Sequence, residues 1–143
     1  GYPSIEDEMD ILERYSAPVS PLSTLQPVCS AEDILAMQAA VAEIYCSREV
    51  RSYVANITSA TRHHPALQLG VSTRGAIALI KAAQACALLA GRDFILPEDV
   101  QRMALPVLCH RVMLSPEARM KADTPDRIVS SIIDGVQVPV RVK

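Results

Sequence analysis

Tryptophan is absent from this sequence, and its only aromatic residues are four Tyr and one Phe. The core must therefore be built from Ala, Ile, Leu, Val and Met, which suits close helix–helix packing better than a β-sandwich. Cysteine is scattered: Cys29, Cys46, Cys86 and Cys109 form no C-x-x-C pair, so neither a zinc site nor a redox motif is indicated. These thiols are expected to be buried and free, as in a reducing compartment. No apolar run approaches the length of a membrane span and no signal-peptide pattern opens the chain, so the expected location is cytoplasmic. A basic excess is missing too. The net charge of −2 argues against a general nucleic-acid surface, though it leaves room for a small basic patch.

Several chemical signatures are also missing. There is no G-x-x-x-x-G-K-[ST] loop to wrap nucleotide phosphates, no Gly-rich dinucleotide fingerprint, no H-E-x-x-H and no G-x-S-x-G. His63, His64 and His110 have no serine or cysteine partner at a recognisable spacing, and adjacent histidines point apart, unlike helical metal ligands four residues apart. Carboxylates gather at helix starts, where capping explains them. By itself the chain does not have the makings of a complete enzyme.

What is present is a long apolar stretch from Leu69 to Gly91. Ser72 reads as an N-cap whose hydroxyl accepts first-turn amides, and Gly91 as a left-handed stop after Ala90. Ile77, Ile80, Ala83, Ala87 and Leu88 approximate the helical period, while Ala76, Ala82 and Ala85 keep other faces slim. Such a helix is expected in the middle of a bundle. Arg74 lies in its first turn, where a cation opposes the helix dipole at a cost of tenths of a kcal/mol when exposed. The position suits a solvated arginine, one paired to a carboxylate, or one that meets a phosphate-like anion beside free amides.

The remaining helices announce themselves by their starts. At 143 residues the chain is one domain, or one domain with a tail, long enough to bury about two-thirds of its unfolded surface. Ser4 with Asp7 opens a first helix with an Ile5, Met9, Leu12 stripe. Residues from Ser16 to Pro27, with three prolines, read as a loop. Ser30 with Asp33 opens the next helix, whose buried stripe is expected at Ile34, Met37, Val41 and Ile44. Ser47 caps a further helix with Val50, Val54 and Ile57 inward, and Arg62 to Pro65 end it. Pro97 with Glu98 and Asp99 is a helix start, and Pro106 should disturb or end that helix. Thr124-Pro125 begins a last one, through Ile128, Ile132 and Ile133 to Gly135. Residues 109–114 read as extended, and the tail from Val136 onward as a strand that pairs with the Val112 region.

The segment from Gly70 to Ser115 resembles the C-terminal lid of the MoxR group of AAA+ ATPases. The residues that carry the likeness are G-x-S-x-R at Gly70, Ser72 and Arg74; A-x-x-L-x-G-R-D at Ala87 to Asp93; P-E-D-V at Pro97 to Val100; P-V-L-x-H-R at Pro106 to Arg111; and L-S-P-E-A at Leu114 to Ala118. The opening GYPSIEDEMDIL is similar to the point where that family's ATPase core hands over to its lid. The resemblance implies an all-α helical bundle, with residues 1–15 as first lid helix, 16–29 as a Pro-rich loop and 30–143 as main bundle and tail. It implies a nucleotide-binding core as partner, with ATP and Mg bound mainly by that core, neighbouring subunits in a ring, and a client protein to be remodelled or matured. Arg74 takes the sensor-2 role toward the γ-phosphate, and Ile11 is placed against the adenine. Gly75 departs from the family's usual alanine, a change expected to loosen the helix start by up to about 1 kcal/mol. The rival is a non-catalytic helical module that holds a partner helix, or nucleic acid through Arg48, Arg51 and Arg62.

Overall fold

A computed structural model describes residues 1–16 and 18–139. The chain divides into two compact units, Gly1–Leu35 and Ala36–Lys143. The first holds helix α1 (Ile5–Ser16), a 3-10 turn (Pro21–Thr24) and the start of α2 (Ala31–Glu43). Both α-helices begin with the expected serine–acid box. Ser4 Oγ donates to Asp7 at 2.6 Å and accepts the Asp7 amide at 3.2 Å, and Ser30 does the same with Asp33 at 2.9 and 3.1 Å. The 3-10 turn falls within the stretch expected to be a loop: Pro21 presets its first φ and the Ser20 hydroxyl accepts the Leu22 amide. The buried stripe expected on α2 is not formed. Ile34 and Met37 are 43% and 47% exposed, and only Ile44, just past the helix end, is buried.

The second unit is built on α3 (Arg48–His63), α4 (Thr73–Leu89), α5 (Pro97–Leu108) and α7 (Pro125–Gly135), with a short α6 (Pro116–Met120). Ser47 caps α3 by accepting the Val50 amide at 3.2 Å, and Val50, Tyr53, Val54 and Ile57 face the core as expected. Helix α4 buries Gly75, Leu79, Ala83 and Ala87, one residue every four, against Val100, Ala104 and Leu108 of α5. Small residues on that stripe let the two helices interlock closely. This corrects two expectations. Leu79, not Ile77, points inward, and Ile77 is 52% exposed, so α4 shows one face to solvent rather than lying enclosed. The face with Gly and Ala is the shallow one, and close approach selects it.

Helix α4 stops at Gly91, which has φ +71°, with the Arg92 amide donating to Ala87 O and the Gly91 amide to Leu88 O. Pro106 does not end α5 at once. The helix runs two residues further before tightening into a 3-10 turn at Cys109–Arg111. Residues 102 and 106 are both exposed, so water can serve the Arg102 carbonyl that loses its partner.

A small antiparallel sheet is present, and among the described residues the tail, at 136–139, takes no part in it. Strand β1 (Leu67–Leu69) pairs with β2 (Met113–Leu114), with Leu67 opposite Leu114 and an irregularity before Leu69. Pro65 ends α3 and turns the chain outward alongside residues 113–114, whereas Pro139 in the tail has no N–H to offer a ladder. Residues 140–143 of the expected tail strand lie outside the described residues. The cysteines also depart from expectation: Cys29 is exposed, and Cys46, Cys86 and Cys109 are only partly buried, all free. Burial, helped by the Asp126 carboxylate, pushes the Cys109 thiol up to about 11, which makes it a poor nucleophile.

Candidate functional site

The segment that leads into α4 leaves β1, touches α3 and then enters the helix within four residues. Gly70 passes so close to α3 that a Cβ there would stand 2.6 Å from the Arg62 Cα and the Thr61 carbonyl. Val71 is fully buried, and both its backbone polar groups are held by α3. Its N–H donates to Thr61 Oγ1 at 2.9 Å, and its carbonyl accepts from Arg62 Nε at 2.7 Å. Ser72 occupies the N-cap position with extended φ/ψ, but its hydroxyl makes no capping bond, contrary to expectation. Its carbonyl accepts the Gly75 and Ala76 amides at 2.9 and 3.2 Å. Among the described residues, the amides of Thr73 and Arg74 have no protein acceptor.

Arg74 is exposed on this first turn and, among the described residues, has neither an ion pair nor a hydrogen bond. Three other arginines of the unit are engaged: Arg92 with Asp99, Arg62 with Val71 O, and Arg111 Nε with Val107 O at 2.9 Å. Of the three readings open for Arg74, pairing to a local carboxylate is therefore not what the geometry contains. A free guanidinium beside open helical amides can bind an anion such as a phosphate.

Gly75 also departs from expectation. A Cβ there would run into Val71 Cγ1, so glycine admits the buried valine beneath the first turn rather than merely loosening it. Ile11 lies on α1 in the first unit and is 45% exposed; Arg74 belongs to the second. His63 Nδ1 bonds Ser59 O at 2.8 Å, and His64 Nδ1 accepts the Ala66 amide at 3.2 Å. Among the described residues no group of three His, Cys, Asp or Glu is placed to hold a metal. Arg62 is committed to the fold, which leaves Arg48 and Arg51 as exposed arginines of the proposed basic face. What sequence reasoning missed is the hold of Thr61 and Arg62 on Val71, because their partner lies nine or ten positions away.

The helical architecture, with an exposed arginine at a helix start, has a match among known proteins. Residues 59–132 match a family described as the AAA lid domain. The chain is 43% identical over 141 residues to the uncharacterized protein YeaC of Bacillus subtilis, covering 99% of this chain and 44% of that protein. It is 30% identical over 148 residues to the chaperone MoxR1 of Mycobacterium tuberculosis, covering 97% of this chain and 38% of that protein. A crystal structure from Cytophaga hutchinsonii, of a protein assigned as an ATPase, superposes with a TM-score of 0.85 at 27% identity, over 97% of this chain and 44% of that one. The chain belongs to the AAA lid domain family. Within it, the chain is the lid of a MoxR-type AAA+ ATPase, and it spans less than half the length of these relatives. Among the described residues no helix is long and apolar enough to cross a membrane.

Proposed function

We propose that this lid senses nucleotide bound by a AAA+ core and transmits hydrolysis to the remodelling of a partner protein. The observation that carries this reading is Arg74: exposed, without a partner among the described residues, and mounted on a turn whose backbone is bonded to α3. In the working ATPase its guanidinium would lie against the γ-phosphate, where its planar fork stabilises charge on the transferring group. ATP and Mg would be held mainly by the core, for which the greater length of the relatives leaves room. Residues 1–15 would serve as the first lid helix, with Ile11 toward the adenine, residues 16–29 as a connecting loop, and residues 30–143 as the main bundle and tail. The name of MoxR1 as a chaperone supports a client-directed role, exercised from a ring of subunits. The free thiols fit a cytoplasmic setting.

The test is Arg74→Ala in the full-length ATPase. Hydrolysis is expected to fall by about tenfold or more, the loss associated with removing a charge-stabilising group, while the lid keeps its helical circular dichroism. Unchanged turnover would remove the assigned role. The 143-residue chain alone, with no phosphate-binding loop, is expected to show no ATP turnover.

A further inference from the structure

The turn that presents Arg74 is held from behind by two side chains to which nucleotide sensing assigns no part. Thr61 is fully buried, and its hydroxyl is used twice: it donates to Thr58 O at 2.6 Å and accepts the Val71 amide at 2.9 Å. Arg62, the next residue, bonds the Val71 carbonyl from the other side at 2.7 Å. A single bond to one peptide group would leave that peptide free to pivot. Bonding the N–H and the C=O of one residue sets the orientation of the peptides on both sides of it. The close pass of Gly70 over the same two residues removes sliding as well. Val71 sits three positions before Arg74, so a tilt at residue 71 is carried by the first helical turn to the backbone from which the Arg74 side chain extends.

The geometry points to Thr61 and Arg62 as positioning residues that set the aim of Arg74 during hydrolysis; this rests on the sensor reading of Arg74. Small errors in placing such a group are expensive in rate: a displacement near 1 Å can cost about 100-fold. A purely structural staple would instead affect folding stability and leave turnover by the folded protein intact.

The experiment uses the full-length ATPase, assayed well below its unfolding midpoint for kcat and KM toward ATP. Arg62→Met keeps the aliphatic stem and removes the donor; Thr61→Val keeps the shape and removes the acceptor; Thr61→Ser restores it. Each is made alone and in an Arg74→Ala background. Arg62→Met and Thr61→Val are expected to lower kcat by about three- to tenfold, a fraction of the full misplacement effect, with Thr61→Ser near wild type. In the Arg74→Ala background neither should lower kcat further. Full additivity with Arg74→Ala would overturn the inference, as would wild-type kcat in both variants when Arg74→Ala itself is slow. If Arg74→Ala turns over normally, the sensor reading has failed, and the positioning roles go with it. Arg62 is exposed, so its variant carries the test should Thr61→Val not fold.

Discussion

Arg92 grips Asp99 with two parallel hydrogen bonds of 2.7 Å, from Nη1 and Nη2 to the two carboxylate oxygens. This fork spans the turn between α4 and α5, and the same carboxylate accepts the Leu96 amide at 2.8 Å at the mouth of α5. Asp99 is 5% exposed. It therefore joins two helices and caps one of them. Arg92→Met leaves this buried carboxylate without its partner. The chain is expected to lose about 2 kcal/mol of unfolding free energy, in the range for hydrogen bonds to charged groups. Urea unfolding of the isolated chain measures it; a loss below a few tenths would mean that solvent already replaces the pair.

The same pair makes stability depend on acid. Burial pushes the Asp99 carboxyl up, but the Arg92 hydrogen bonds, the Leu96 amide and the Arg92 charge outweigh it and hold the group below its usual range. The folded chain then binds fewer protons than the unfolded one as pH falls past the ordinary carboxylate value of about 4. The stabilisation is fully present above that value and is lost as pH drops through the lowered folded-state value. Unfolding curves from pH 6 to pH 3 should fall more steeply for the wild type than for Asp99→Asn. Exposed Asp7 and Asp33, also held low by their cap serines, titrate alike in both proteins. Parallel curves would show that folding does not lower the Asp99 pKa.

Helix propensity alone makes Gly75→Ala a stabilising change. The structure reverses that sign, because the added methyl meets Val71 Cγ1, a branched side chain that is fully buried. Gly75→Ala is expected to destabilise by about 1–3 kcal/mol, the usual range for overpacking. Val71→Ala alone opens a void and also destabilises. Together they should cost at least about 1 kcal/mol less than their sum, since one methyl fills the space left by the other. A double-mutant cycle in urea reads the coupling, and simple additivity would contradict the contact.

Helix starts were legible because caps are local. Ser4 with Asp7, Ser30 with Asp33, Ser47 and Thr124 each bond an amide three residues on, a reach that spacing along the chain reveals. The stop at Gly91 was legible for the same reason. Burial was less so. The α2 stripe at Ile34 and Met37 has the right period yet remains exposed, since periodicity marks a face without saying whether anything covers it. On α4 the period admits more than one face, and contact with α5 chose the one at Leu79.

Arg74 could be picked out from the sequence as a cation at a helix start, because both the helix and its first turn follow from neighbouring residues. That it is exposed and, among the described residues, unpaired, while Arg62, Arg92 and Arg111 are engaged, was decided by the tertiary structure. The sequence by itself determined several helix starts and the stop at Gly91, which follow from hydrogen bonds that close within one turn. Only the folded chain decided how α4 is aimed. Its anchors, Thr61 and Arg62 on Val71, meet across a reversal of the chain, where distance in space and distance in sequence part company.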